Sequence, residues 1–224
     1  MTYKELHIPC PVCASSDAYV VYETGQGHCF SCDYHYFNDQ ESIIEETFEI
    51  EEVEGKETKK FYPHRGLSTA TMKFYGIETK FIDDQPYEVG FSYPSGAIKV
   101  RKFNEKSFRT IGENSKEPSL FGLDKFDPGG KESITITAGE YDAPSIYEAT
   151  RGRTAAVSLR SGNLGQALKD VSAHRDKINS FERIVFALDN DDKDPKVVKE
   201  LSRLFDFNKV YIVKFDKYKD ANDY

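Results

Sequence analysis

The 224-residue chain contains no apolar run approaching the roughly 18–20 residues needed to cross a bilayer. Its first residues, MTYKELHIPCPVC, lack an apolar h-region, so no secretory signal is readable. These two absences predict a cytoplasmic protein with no membrane partner. No G-x-x-x-x-G-K-[ST] appears, which excludes a P-loop helicase motor within these residues. No cysteine follows residue 32. Basic charge is also scarce: the net charge is −8, and nine acids against one base between Asp39 and Glu57 carry all of that imbalance. Such a run reads as a solvated linker, so the folded parts are close to neutral; it could also compete with nucleic acid for a basic surface. A hydrophobic content of 38% and a charged content of 30% suit a globular chain with one sizeable core and a small extra module.

That module is amino-terminal. Cys10, Cys13, Cys29 and Cys32 form C-x2-C-x15-C-x2-C, the spacing of a four-cysteine zinc site. Each pair forms a knuckle that points two thiolates at one ion, and a reducing compartment disfavours the disulfide alternative. Between the knuckles, AYVVYE and a glycine turn suggest a zinc ribbon of short antiparallel strands. A module of about 35 residues buries too little surface to fold alone, so zinc supplies much of its folding energy. Tyr19, Tyr22, His28 and Tyr34 stand among aromatic and histidine residues that divide between ribbon core and an exposed face able to stack on unpaired bases.

Beyond the linker, Ser68 is a plausible N-cap for a short helix through Phe74, ended by Gly76. YEVGFSYP and AIKVRKF, joined by a turn at Ser95-Gly96, read as a hairpin. From Lys99 to Arg109 the bases Lys99, Arg101, Lys102, Lys106 and Arg109 face one acid, Glu105. Lys99 and Arg101, two apart on a strand, share a face that suits polyphosphate or a nucleic-acid backbone; a merely solvated face is the alternative.

From Ile134 onward β-branched runs (SITITA, AAVSL, RIVFALD, KVYIVKF) alternate with amphipathic stretches (EYDAPSIYEAT, about Gly165 to Ile178, PKVVKELSRLF). The alternation predicts a parallel sheet covered on both faces, whose working site lies at the carboxyl ends of its strands. Those ends carry Glu140 and Asp142, then Asp189 and Asp191, then Asp220. Two carboxylates about 5 Å apart at an effective dielectric near 20 repel by about 3 kcal/mol, so a cluster calls for a cation. Hard oxygen ligands point to Mg2+ or Mn2+.

At this point the chain resembles a known family. A four-cysteine ribbon followed by GEYDA and ALDNDD, with PHRG, IKVRKFNEKSF, SLFG, AVSLRSG and KDAN in order, is similar to the primase half of phage primase–helicases, akin to bacterial replicative primases. The resemblance implies a ribbon at 1–38, an acidic linker at 39–60, an antiparallel-strand subdomain with the basic strand at 61–130, and a TOPRIM subdomain at 131–224. It also implies a DNA-dependent RNA primase that makes short oligoribonucleotides on single-stranded DNA. Glu140, Asp142, Asp189, Asp191 and Asp220 would then be the metal-binding acids, and Arg65, Lys99, Arg101, Lys106 and Arg109 the phosphate-handling bases. The implied partners are single-stranded template, ribonucleoside triphosphates, a replicative helicase and a DNA polymerase that receives the primer, in the host cytoplasm if a phage encodes the chain. The family usually has a glutamate just before the Gly-Glu; here that position is Ala138, either an inactivating replacement or a difference of lineage. Two other readings stay open: a TOPRIM nuclease, and a non-catalytic module that binds single-stranded DNA.

Overall fold

The computed structural model describes residues 3–9, 16, 18–23, 26–29, 35–36, 55–105, 107–112, 114, 116–189, 194–215 and 217–223. The chain divides into two compact units, residues 1–54 and 55–224.

The first unit is a four-stranded antiparallel sheet in the order β1 (Tyr3–Ile8), β2 (Tyr19–Tyr22), β3 (Gly27–Cys29), β4 (His35–Tyr36). Its packed interior is small: Tyr19 and Cys29, with Ile8, Ala18 and Val21 against them. The Tyr19 hydroxyl lies where a Cβ on residue 27 would sit, 2.0 Å away, so glycine is needed there for close approach. β2 falls on the expected strand. β1 was not expected, because YKELHI alternates charge as much as apolarity and carries little β signal. Cys10, Cys13 and Cys32 lie outside the described residues, as does residue 39–54 of the linker.

In the second unit, a five-stranded antiparallel sheet runs in the order β5 (Glu57–Lys60), β6 (Ile77–Ile82), β7 (Gln85–Ser92), β8 (Ile98–Lys102), β9 (Phe108–Ile111). β5 corrects the linker boundary: ETKK is exposed throughout, so no apolar pattern marks it, yet it pairs with β6 from Glu57↔Ile82 to Lys60↔Thr79. Between β5 and β6, helix α1 (Thr69–Tyr75) begins where Ser68 accepts from the Thr71 N–H and ends at a left-handed Gly76, as the sequence predicts.

The second sheet is parallel, in the order β11 (Ala155–Ser158), β10 (Ser133–Thr137), β12 (Arg183–Ala187), β13 (Val210–Ile212). From β10 the chain passes through α2 (Asp142–Ala149) out to β11. It returns through α3 (Leu164–Ala173) and α4 (Arg175–Asn179) to β12 on the other side of β10, and α5 (Asp194–Ser202) leads to β13. Right-handed crossovers therefore place α2 on one face and the later helices on the other. The single helix expected over 165–178 is broken at His174, where the carboxyl cap of α3 starts α4. Because the direction of travel reverses at β10, the crevice beyond its carboxyl end is the topological switch point where such sheets bind ligands. Among the described residues no helix is long and apolar enough to cross a membrane.

One core joins the two sheets: Met72, Tyr75, Ile77, Phe91 and Phe121 pack with Ile134, Ile136, Val157, Ile184 and Phe186. Tyr75 is its keystone, stacked on Phe121 and donating its hydroxyl to the Ala156 carbonyl at 2.9 Å. Burial pushes that phenol far up, so it stays a donor at any working pH. Tyr75→Phe keeps the ring and removes the bond; a loss of about 1–2 kcal/mol in urea unfolding, with an unchanged m-value, is expected. An unchanged midpoint would show that the bond adds nothing.

Candidate active site at the head of the parallel sheet

The turn that leaves β10 builds the crevice. Residue 139 must be glycine because Asp142 folds back onto it: the Asp142 Oδ2 accepts the Gly139 N–H at 3.0 Å, and a Cβ there would lie 2.7 Å from that oxygen. The next residues separate in direction. Glu140, 6% exposed, accepts from the Tyr93 hydroxyl at 2.5 Å and from Lys99 Nζ at 2.7 Å. Asp142, 5% exposed, accepts the Asn222 N–H through Oδ1 at 3.0 Å. One acid thus anchors the antiparallel sheet, and the other meets the carboxyl-terminal segment.

Asp142 carries the strongest electrostatic signal. Burial pushes its carboxyl up to about 7, and the negative charges of Asp220 and Asp189 add to the effect against two stabilising backbone N–H groups. Asp220 accepts from the Asn222 and Asp223 N–H groups, and Lys219 lies 3.8 Å from Asp189. Asn222 closes this side, donating through Nδ2 to the Arg65 carbonyl at 3.0 Å and to Ser145 Oγ at 2.9 Å. Among the described residues no three or more His, Cys, Asp or Glu side chains converge into a metal-ligand group. The expected fourth acid, Asp191, lies outside the described residues. Asp142, Asp189 and Asp220 are all hard-oxygen donors, and their charges act on one another across this edge of the sheet.

That repulsion has a measurable sign. A carboxyl whose folded value exceeds its ordinary value binds its proton more tightly in the native state. Its stabilisation is full below about pH 4 and is lost as pH rises towards about 7. In metal-free protein, stability should therefore fall across that window more steeply than in Asp142→Asn, by up to about 1.4 kcal/mol per pH unit. Parallel curves of the two proteins in urea titrations at stepped pH would overturn this.

The basic residues divide by face. On β8, Lys99 and Arg101 stand opposite Phe91 and Val89 of β7, on the side that meets the core. Lys99 also donates to the Arg160 carbonyl at 3.2 Å, and Arg160 pairs with the buried Asp170 at 3.2 Å. Arg101 has its guanidinium pulled down by burial first and by neighbouring Arg65 second, and it donates to the Glu105 carbonyl at 3.3 Å. Arg65, exposed and in a left-handed conformation, rests 4.9 Å from the centroid of the Tyr141 ring. Beside it, His64 is held below its ordinary value by burial and by Arg65 and Arg101, so it is neutral near pH 7. Arg65, Lys99 and Arg101 thus gather on one side of the crevice.

Arg109 does not join them. It stands opposite Val100, so it projects from the other face of the sheet, where both guanidinium nitrogens engage Glu88, one at 2.8 Å. There it borders a groove of about 240 Å³ with Lys59, Lys80 and Glu78. Lys106 lies outside the described residues. Ala138 is half-buried against the core at the end of β10. In the first unit, Tyr19 is 7% exposed and belongs to the interior, which corrects its assignment as a base contact. A sheet this small has few rings to fill its core, and it uses this one. Tyr22 and His28 are half-buried, and Tyr34 lies outside the described residues.

Arg160 and Asn222 stand at polar strand ends in the sequence without an assigned role, whereas Tyr93 and Asp170 were missed. Tyr93 carries a hint, as a polar aromatic at the end of a hairpin strand. Its phenol is raised well above its ordinary value by burial and by Glu140, and it remains a donor.

A family profile described as Toprim-like matches residues 135–224. A DNA helicase/primase of Enterobacteria phage T3 is 29% identical over 235 residues, covering 97% of this chain and 40% of that protein. The crystal structure of the primase fragment of the bacteriophage T7 primase-helicase superposes with a TM-score of 0.63 at 25% identity, covering 99% of this chain and 94% of that one. A second structure also gives 0.63, at 27% identity, over 75% of this chain and 85% of that one. It shows the T7 lagging-strand DNA polymerase interacting with primase domains bound to an RNA/DNA hybrid and dTTP. The chain therefore spans less than half the length of its phage relative.

Proposed function

We propose, from the premise that this chain is related to the primase half of the phage primase–helicases and ends in a Toprim-like domain, that it is a DNA-dependent RNA primase. The observation that carries the reading is the gathering beyond β10 of Asp142, Asp189 and Asp220 with Arg65, Lys99 and Arg101 close by. A nucleoside triphosphate needs both sets: cations for its phosphates, and oxygen donors for its metal. In the reaction a ribonucleotide 3′-hydroxyl attacks the α-phosphorus of an incoming triphosphate. The new P–O bond forms as the bond to pyrophosphate breaks, and the hydroxyl proton passes to solvent water. Asp142, Asp189, Asp191 and Asp220 would hold Mg2+ or Mn2+, whose chemistry would be to neutralise charge on the leaving oxygens; Glu140, expected among these acids, is instead taken up by Tyr93 and Lys99. Arg65, Lys99 and Arg101 orient the phosphates. Glu140 holds Lys99 in place, and Asn222 fixes Asp142 against the carboxyl-terminal segment.

In the same reading Cys10, Cys13, Cys29 and Cys32 hold one zinc ion in an amino-terminal ribbon that reads the template. The partners are single-stranded DNA, ribonucleoside triphosphates, a helicase and a DNA polymerase that takes over the primer. The T7 assembly of polymerase with primase domains supports the last of these.

The test is primer synthesis on mixed single-stranded templates with four ribonucleotides and Mg2+ or Mn2+, run on this chain and on Ala138→Glu. Short oligoribonucleotides from either protein support the assignment. Template cleavage without added nucleotides would replace it with a nuclease, and binding without polymerisation by both proteins would replace it with a single-stranded-DNA-binding module.

A further inference from the structure

Phe108 is a large apolar side chain left 49% exposed, on the edge strand β9, directly opposite Arg101. It therefore shares the face of Lys99 and Arg101, whereas Arg109 beside it turns the other way. Both cations lean on its ring: Lys99 Nζ is 5.1 Å and the Arg101 guanidinium carbon 5.4 Å from the centroid. They come from β8, on the inner side of the ring, which leaves the outer side to solvent. Nothing in the core needs this ring, which is absent from the packed cluster that joins the two sheets. An exposed π-face next to two cations, one of them bound to Glu140 at the head of β10, matches the chemistry of a phosphorylated nucleotide, a flat base joined to an anion.

We infer that Phe108 is a stacking platform for the base of a nucleotide whose phosphates lie on Lys99 and Arg101. This deepens the primase reading and rests on it for the identity of the ligand, but it is tested by binding alone. Stacking on an aromatic ring tolerates every base, so the platform provides grip without sequence preference; selection of a template motif falls to other groups.

The chain contains no tryptophan, so Phe108→Trp places a unique fluorophore at the platform. Its emission should be quenched by an oligodeoxythymidylate or by ATP, and left unchanged by inorganic tripolyphosphate, which brings the charge without a base. Quenching at lower concentration by the oligonucleotide assigns the platform to the template strand, and by ATP to the incoming nucleotide. Phe108→Ala should weaken binding of the quenching probe about tenfold, Phe108→Tyr should bind like the parent, and the salt dependence should be the same in all three because no phosphate contact is lost. Phe207→Ala, which removes an exposed ring outside the crevice, should change nothing. Equal quenching by tripolyphosphate, no quenching by either base-bearing probe, or parental affinity in a folded Phe108→Ala would overturn the assignment. None of these readouts needs polymerisation, so a failure of Ala138→Glu to make primers leaves the stacking result standing.

Discussion

Ala138→Glu should raise oligoribonucleotide synthesis by about 10² to 10⁴, the contribution of one positioned acid–base group. In the primase reading, residue 138 is the position where an expected acid is missing. Residue 138 is the last of the run that extends β10, directly before the glycine turn, and its side chain is half-buried at the switch point. Neither neighbouring acid can take over. Glu140 is held by Tyr93 and Lys99, so using it would release a half-buried lysine from its carboxylate. Asp142 spends both oxygens on the Gly139 and Asn222 N–H groups, and those bonds shape the turn itself. The measurement is initial rate at saturating nucleotide and template, since a group that acts only in the transition state moves kcat and leaves binding of both substrates unchanged. Equal rates for the two proteins would show that this position has no part in the chemistry. A higher rate achieved only through tighter template binding would assign the glutamate to binding.

The elements near the site were legible where chemistry is local. Ser68 and Gly76 bracket α1 because capping involves groups three residues apart, and β10 and β12 follow from short runs rich in Ile, Val, Thr and Phe. Placement of acids after separate strands was legible too, since parallel strands bring their carboxyl ends to one edge. What escaped depends on pairs distant in the chain. Tyr93 meets Glu140, and Lys99 meets the Arg160 carbonyl, across separations that no periodicity encodes. The basic strand shows the limit most clearly. Five bases between Lys99 and Arg109 can be counted, but the face each takes after the turn at 103–107 depends on the register of β9. Phe108 falls opposite Arg101, so Arg109 is carried to the other side of the sheet. A shift of one residue would reverse that, and the sequence signals for such a loop are too weak to choose. Exposed β5 and the charge-rich β1 escaped for the opposite reason: neither YKELHI nor ETKK carries a hydrophobic pattern to read.

Removal of zinc should unfold the amino-terminal unit and leave the rest of the chain folded. The buried apolar side chains described in the unit are Tyr19, Val20 and Cys29, with three partly buried neighbours against the Tyr19–Cys29 pair, too little to offset the entropy of ordering about 35 residues. Its sheet therefore needs a further source of free energy. In the proposed zinc ribbon, four cysteine thiolates on one ion would supply it, since such sites have apparent binding energies of about 10–16 kcal/mol at neutral pH. Among the described residues, Cys29 is fully buried on β3, beside Tyr19. A chelator added at pH 7 should abolish amide protection in β1 to β4, while protection in β10 and β12 persists. Cys29→Ser should reproduce that loss and lower the bound zinc measured by atomic emission. Protected strands in zinc-free, reduced protein would show that the unit folds without metal, and a disulfide at Cys29 would replace the zinc assignment altogether. The opposite outcome has a functional consequence. Because residues 55–224 keep their own core and crevice, metal-stripped protein should still bind ribonucleotide and lose only what the first unit contributes on the template. Titrating ATP and single-stranded DNA separately, before and after chelation, resolves the two contributions.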